Sequence, residues 1–228
     1  MSRSSFLLAL LTASAIYTQD VQAHASFVIN STSVPYAAKG YLATLNLGHG
    51  CEDSTGKLYD SSTIEVTIPS TFKAVRPMPS TFGKASVVKD GLGNVTKLIW
   101  TKASADKLSD DSQLYQVSFK GTLPATPFST LGFETVQTCE NGLSIEWKGT
   151  DTPTLFIVPA RTVGWNKYTT SNSVLDLTGT GAKFFADAAI VWKGKEGYSV
   201  NPNTLELIKK NATELKQIPA ASTIWVKY

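Results

Sequence analysis

The sequence predicts an all-β protein, a sandwich of short strands followed by a C-terminal extension that carries one helix. Three observations predict it. Segments that alternate apolar and polar residues recur up to about residue 160, turn signals separate them, and the texture changes beyond that point.

The segment 63–69 (TIEVTIP) alternates cleanly, with Ile64, Val66 and Ile68 on one face and Thr63, Glu65 and Thr67 on the other. Segments 25–30, 41–47, 95–101, 114–123, 132–138 and 143–147 read the same way. Gly91-Leu92-Gly93-Asn94, Pro77-Met78-Pro79 and Pro124 punctuate them. Asn141-Gly142 predicts a hairpin with a two-residue type I′ turn. In that register Glu140 faces Leu143, Val136 faces Trp147, and Glu134 lies diagonally from Trp147 on its own face.

From about 161 the chain turns rich in Thr, Ser, Gly and Asn, which predicts a loop with one strand at most over 161–183. An apolar run follows at 184–193. Leu205, Ile208, Ala212 and Leu215 share one face of a helix over 203–216, with Asn201-Pro202 as its entry signal. Ile224-Trp225-Val226 predicts a closing strand. Residues 161–228 are either capping strands with a helix or a small α/β appendage.

Residues 1–23 have the layout of a secretory signal: Arg3, an apolar core of 12 residues from Phe6 to Tyr17, and small residues at Val21 and Ala23. The core is too short to anchor in a bilayer, and no later run approaches the roughly 18 apolar residues a span needs. Cleavage before His24 is expected, leaving 24–160 as the sandwich in a periplasmic or secreted protein. Hydrophobic residues are 42% and charged residues 17% of the chain, which argues against disorder. The net charge is +3, with lysines scattered and no basic stripe interleaved with aromatics, so nucleic acid is not an expected partner. The chain's two cysteines, Cys51 and Cys139, are expected to pair in an oxidising compartment. Asn30, Asn94 and Asn211 each open a glycosylation sequon.

A free N-terminal histidine has its own chemistry. The α-amine and imidazole Nδ1 of His24 can close a six-membered chelate on one ion, and such paired nitrogens suit Cu(II) by geometry and affinity order. The amine must first lose a proton, which costs little near its ordinary pKa of about 7.7. His49 is the only other histidine; in a Gly-flanked turn two residues from Cys51, it is expected to support the structure rather than bind the ion. The mature chain keeps Met78 alone among methionines, so a thioether-rich Cu(I) site is not available. No phosphate loop, zinc-spaced Cys/His set or nucleophile elbow occurs, and no enzyme activity is expected.

Ordered pieces of the chain resemble the DUF1775 (YcnI-like) family of exported copper-binding domains. They are His24 after the signal, Gly40, His49-Gly50-Cys51, Val66-Thr67-Ile68-Pro69, Pro77 and Pro79, Leu98-Ile99-Trp100, and Phe119 through Pro124. Phe133, Val136 through Gly142, and Trp147 complete them. The resemblance spans roughly residues 24–158 and implies an immunoglobulin-like β-sandwich. It further implies a Cu(II) site built on one histidine, His24, with a strand carboxylate as oxygen donor and Trp147 against the ion. This chain has Gln116 where relatives carry a glutamate, and an amide is the weaker donor. Glu134 is the carboxylate that could stand in.

The expectation is an exported protein that holds Cu(II) or passes it to other copper-handling proteins. Two rivals stand beside it. One is a copper monooxygenase with His24 and His49 as ligands; the other is a metal-free adhesion or scaffolding sandwich.

Overall fold

The computed structural model describes residues 24–29 and 34–228; the expected signal at 1–23 and the Asn30 sequon lie outside them. The first part of the chain forms β1 (Ser26–Phe27), β2 (Gly40–Leu47), β3 (Cys51–Glu52), β4 (Leu58–Tyr59), β5 (Ser61–Thr67) and β6 (Lys73–Pro77). It continues through β7 (Lys84–Lys89), β8 (Val95–Thr101), β9 (Tyr115–Thr122), β10 (Ser129–Gly132), β11 (Thr135–Cys139), β12 (Ser144–Trp147) and β13 (Thr154–Ile157). Two sheets result, ordered β1-β2-β9-β6 and β12-β11-β5-β8-β7, with two-stranded β10-β13 and β3-β4 beside them. The protein is a β-sandwich, as expected.

Alternation explains which residues meet between the sheets. Ala43, Leu45 and Leu47 of β2 and Val117 and Phe119 of β9 are fully buried. They face Ile64 and Val66 of β5 and Leu98 and Trp100 of β8, which are also fully buried. Each such side chain contributes about 1.5–3 kcal/mol relative to exposure. Phe27 and Phe133 meet edge to face with centroids 5.1 Å apart, which ties the first strand to the opposite sheet.

The expected strand over 132–138 is two strands. β10 ends at Gly132 and β11 begins at Thr135. Between them Phe133 N–H donates to the Pro153 carbonyl, and the Glu134 carbonyl accepts from Thr67 N–H. The chain changes partner there, which an alternating pattern does not reveal.

The hairpin also differs from expectation. Its loop has three residues, Glu140 to Gly142: Gly142 N–H donates to the Cys139 carbonyl and Cys139 N–H to the Leu143 carbonyl, both at 2.9 Å. Gly142 sits at φ 80°, the left-handed position that follows a type I turn in this loop class. The register moves by one residue, so Thr135 faces Trp147 and Val136 faces Glu146. Glu134 therefore lies on the face opposite Trp147.

Beyond residue 160 come β14 (Trp165–Thr169), β15 (Leu175–Asp176), β16 (Ile190–Lys193), β17 (Glu196–Tyr198), α1 (Pro202–Asn211), β18 (Thr213–Glu214), β19 (Gln217–Ile218) and β20 (Thr223–Lys227). They form a five-stranded sheet ordered β14-β20-β16-β17-β18 and a β15-β19 pair. A second buried cluster, including Phe185, Val191, Ile218, Ile224 and Val226, lies under that sheet. Phe128, Phe156 and Val158 of the sandwich side pack into it.

The helix starts where expected, with Asn201 Oδ1 accepting from the N–H groups of Asn203 and Thr204 and Pro202 in the first turn. It ends at Asn211, short of the expected 216. Residues 213–214 pair in parallel with β17 instead, and Leu215 drops into the second cluster. A sheet edge outcompetes one more helical turn.

Candidate metal centre

The site is built at one end of the β1–β2 pair. Ser26 faces Asn46 and Phe27 faces Leu45. His24 precedes β1 by two residues and His49 follows β2 by two, so both stand at the same end of this antiparallel pair. His24 is exposed, Ala25 buried and Ser26 exposed, so the imidazole belongs to the outer, wetted side. Ala25 and Trp147, 3% and 5% exposed, belong to the same buried cluster.

His49 is held from both sides. Its Nδ1–H donates to the Gly50 carbonyl at 2.6 Å, and its own carbonyl accepts from Gln137 Nε2 at 2.8 Å. The turn requires glycine at 50, because a Cβ there would fall 1.8 Å from the Tyr59 carbonyl oxygen. Gln137 is fully buried, also reaches Ser61 Oγ at 2.5 Å, and leaves its Oε1 without a partner. The Cys51–Cys139 disulfide, Cα to Cα 5.9 Å, fixes the residue after Gly50 to the end of β11.

Behind this turn lies a buried ionic network. Lys102 Nζ reaches Asp60 Oδ2 at 2.5 Å and the Tyr115 hydroxyl at 2.6 Å, and that hydroxyl donates to Asp60 Oδ1 at 2.6 Å. Leu108 N–H adds a fourth bond at 2.9 Å. Burial alone would raise the Asp60 carboxyl, but bonds from Lys102, Tyr115 and Leu108 outweigh it and hold it below its ordinary value. Tyr115 is pushed up by burial and then by Asp60. Nothing in the sequence pattern marked Asp60, Lys102 or Gln137. The one available signal was a polar residue at an inward position of an alternating strand, as Gln137 is between Thr135 and Cys139.

The other expected ligands fall elsewhere. Gln116 is exposed on the outer face of the first sheet, where it donates to Asn46 Oδ1 at 3.0 Å. Asn46 stands between it and β1, since Asn46 faces both Ser26 and Gln116. Glu134 is exposed on the far face, where Lys148, its pKa raised chiefly by its bond to Glu146, also feels the Glu134 charge. Neither joins His24. Among the described residues no three His, Cys, Asp or Glu side chains assemble into a metal-holding group. A copper site at this end would therefore depend on the His24 amine, which signal cleavage would release.

A groove of about 860 Å³ opens beside this end, lined among others by Ala25, Phe27, Thr152, Phe156, Lys183 and Phe184. It runs between the sandwich and the helical turn at Thr180–Phe185.

Residues 27–164 match the family described as a domain of unknown function (DUF1775). The chain belongs to the DUF1775 family. Its match begins three residues after His24 and takes in the His49 turn, both cysteines and Trp147. No curated protein matches the chain. Among solved structures it is similar to an uncharacterized protein from Nocardia farcinica with an immunoglobulin-like fold, at 16% identity and TM-score 0.49, over 60% of this chain and 99% of that one. It is also similar to a putative membrane anchored protein from Corynebacterium diphtheriae, at 11% identity and TM-score 0.36, over 61% of this chain and 34% of that one. The Actinomyces fimbrial adhesin FimA aligns at 11% identity and TM-score 0.35, over 90% of this chain and 77% of that one. Among the described residues of this DUF1775 chain, no helix is long and apolar enough to cross a membrane.

Proposed function

We propose that this chain, cleaved before His24, is an exported Cu(II)-binding protein that holds the ion or hands it to another exported copper-handling protein. The amine and Nδ1 of His24 chelate the ion, and the imidazole of His49 is the candidate third nitrogen. Trp147 supplies an apolar floor behind Ala25. Gln116 and Glu134 have no part in the site. What supports the reading is the antiparallel pairing of β1 with β2, which puts the chain leading into β1 and the His49 turn leaving β2 at the same end of the pair. The disulfide belongs to an oxidising compartment, which supports export to the periplasm or medium.

N-terminal sequencing of the exported protein, followed by native mass spectrometry with Cu(II), tests this. The expected result is a chain starting at His24 that takes up one ion. A chain starting elsewhere, or one that takes up none, would leave a metal-free sandwich.

A copper monooxygenase is the second reading, and the position of His49 favours it, because such enzymes use two histidines. Copper-loaded protein that makes no oxygen-dependent peroxide above free Cu(II) supports the carrier; sustained turnover with a reductant supports the enzyme.

A further inference from the structure

The five-stranded sheet of the C-terminal part has one face on the second core, and its other face carries exposed side chains on β14 and β20. Tyr168, Ile224, Val226 and Val191 pack toward the core. Alternation therefore turns Trp165, Lys167, Trp225, Lys227 and Trp192 outward. Lys167 faces Trp225, Trp225 faces Trp192, and Trp165 faces Lys227. Three of the chain's five tryptophans thus lie obliquely across three neighbouring strands. Trp165 and Trp225 are 49% and 47% exposed.

The orientation of one ring is fixed by its neighbour. Trp192 faces Gly197, and a Cβ on that glycine would fall 2.7–3.0 Å from three atoms of the indole. The ring lies flat over the Gly197 backbone and is half-buried. Lys167 Nζ stands 5.9 Å from the Trp225 centroid. β14, β20 and β16 contain no Asp or Glu.

We propose that this face binds a linear polysaccharide, whose pyranose rings stack on the flat indoles while Lys167, Lys227, Thr169 and Thr223 hydrogen-bond its hydroxyls. The apolar face of a pyranose presents C–H bonds of partial positive charge, which complement the negative face of an aromatic ring. A row of rings across three strands, each strand about 4.8 Å from the next, suits a chain of sugars better than a single one. A second copy of this face is disfavoured, because a two-fold pairing would gather two sets of Lys167 and Lys227 into one interface to which β14, β20 and β16 bring no carboxylate. A protein partner is disfavoured by the same lysines, a residue type depleted from interface centres. A bilayer calls for apolar side chains that project, and Trp192 lies flat.

The test uses the chain beginning at His24, with pull-down on cellulose, chitin and peptidoglycan sacculi and affinity electrophoresis in alginate as the anionic arm. The expected result is retention by at least one probe. The Trp165→Ala/Trp225→Ala double variant should lose at least tenfold in affinity with an unchanged thermal midpoint and unchanged Cu(II) uptake, which separates this proposal from the copper reading. Trp225→Tyr should retain part of the binding. Retention by none of the four probes overturns the proposal, as does undiminished retention of the double variant. Tryptophan-dependent binding only to phosphatidylglycerol vesicles or a single-stranded oligonucleotide, or tryptophan-dependent dimerisation without glycan binding, also overturns it.

Discussion

His49 is the residue whose surroundings say most about the proposed site. Its Nδ1 bond to Gly50 and its carbonyl bond from Gln137 set both the ring and the turn before any ion arrives. Loss of the third nitrogen in His49→Ala should weaken Cu(II) binding at least tenfold, read by competition titration, while leaving the His24 chelate in place. Lys102 offers a stability test at the same scale. Its ammonium is buried against Asp60 with both side chains almost fully enclosed. Lys102→Met strands the carboxylate and should cost about 3–5 kcal/mol by denaturant titration. A loss within 1 kcal/mol would mean that water reaches Asp60. His24 and Trp147 enter the proposal from terminal histidine chemistry and the family resemblance, which name residue types. Asp60, Lys102 and Gln137 were not, because they are distant in sequence and only pairing of β5, β8 and β11 brings their strands together.

At the scale of elements, the hairpin after β11 shows what a local motif decides. Asn-Gly correctly marks a turn between two strands, yet the same dipeptide fits a two-residue loop and the end of a three-residue loop. One residue of difference moves Glu134 to the far face. Glu134→Gln should accordingly change Cu(II) affinity by less than twofold and stability by no more than about 0.5 kcal/mol. A clear loss of copper would restore the carboxylate ligand. Strands 95–101 and 41–47 were legible because clean alternation coincides with burial of one face. β6, β7 and β13 were not, since β7 has no fully buried residue and β6 and β13 borrow their order from neighbours. The helix entry was readable from Asn201-Pro202, and Asn201→Ala should cost about 1 kcal/mol. Its end was not, because the competing partner, β17, is supplied by tertiary structure.

Across the whole molecule, two clusters meet at Phe128, Phe156 and Val158, and one cross-link spans 88 residues of the first. Reducing Cys51–Cys139 should lower stability by about 4 kcal/mol on the loop-entropy account. Acid should act through the carboxylates held below their ordinary values. Asp60 is lowered by its bonds despite burial, and Asp53 is held at about 2 by bonds from Thr55, Lys57 and Tyr59. Depressed carboxyls stabilise the fold above their unfolded pKa and lose that contribution as pH falls through the folded value. Stability should therefore be flat from neutrality to about pH 4 and decline below it. The central claim joins all three scales, since the ion is placed by a residue, a strand register and a cleavage event together. Its most direct test is a Cu(II) titration of two chains, one beginning at His24 and one with a single alanine before it. The added residue keeps the imidazole and His49 but removes the chelating amine. The account predicts that affinity falls by at least a hundredfold and that the EPR spectrum changes its nitrogen ligation. Equal affinity in the two chains would contradict it.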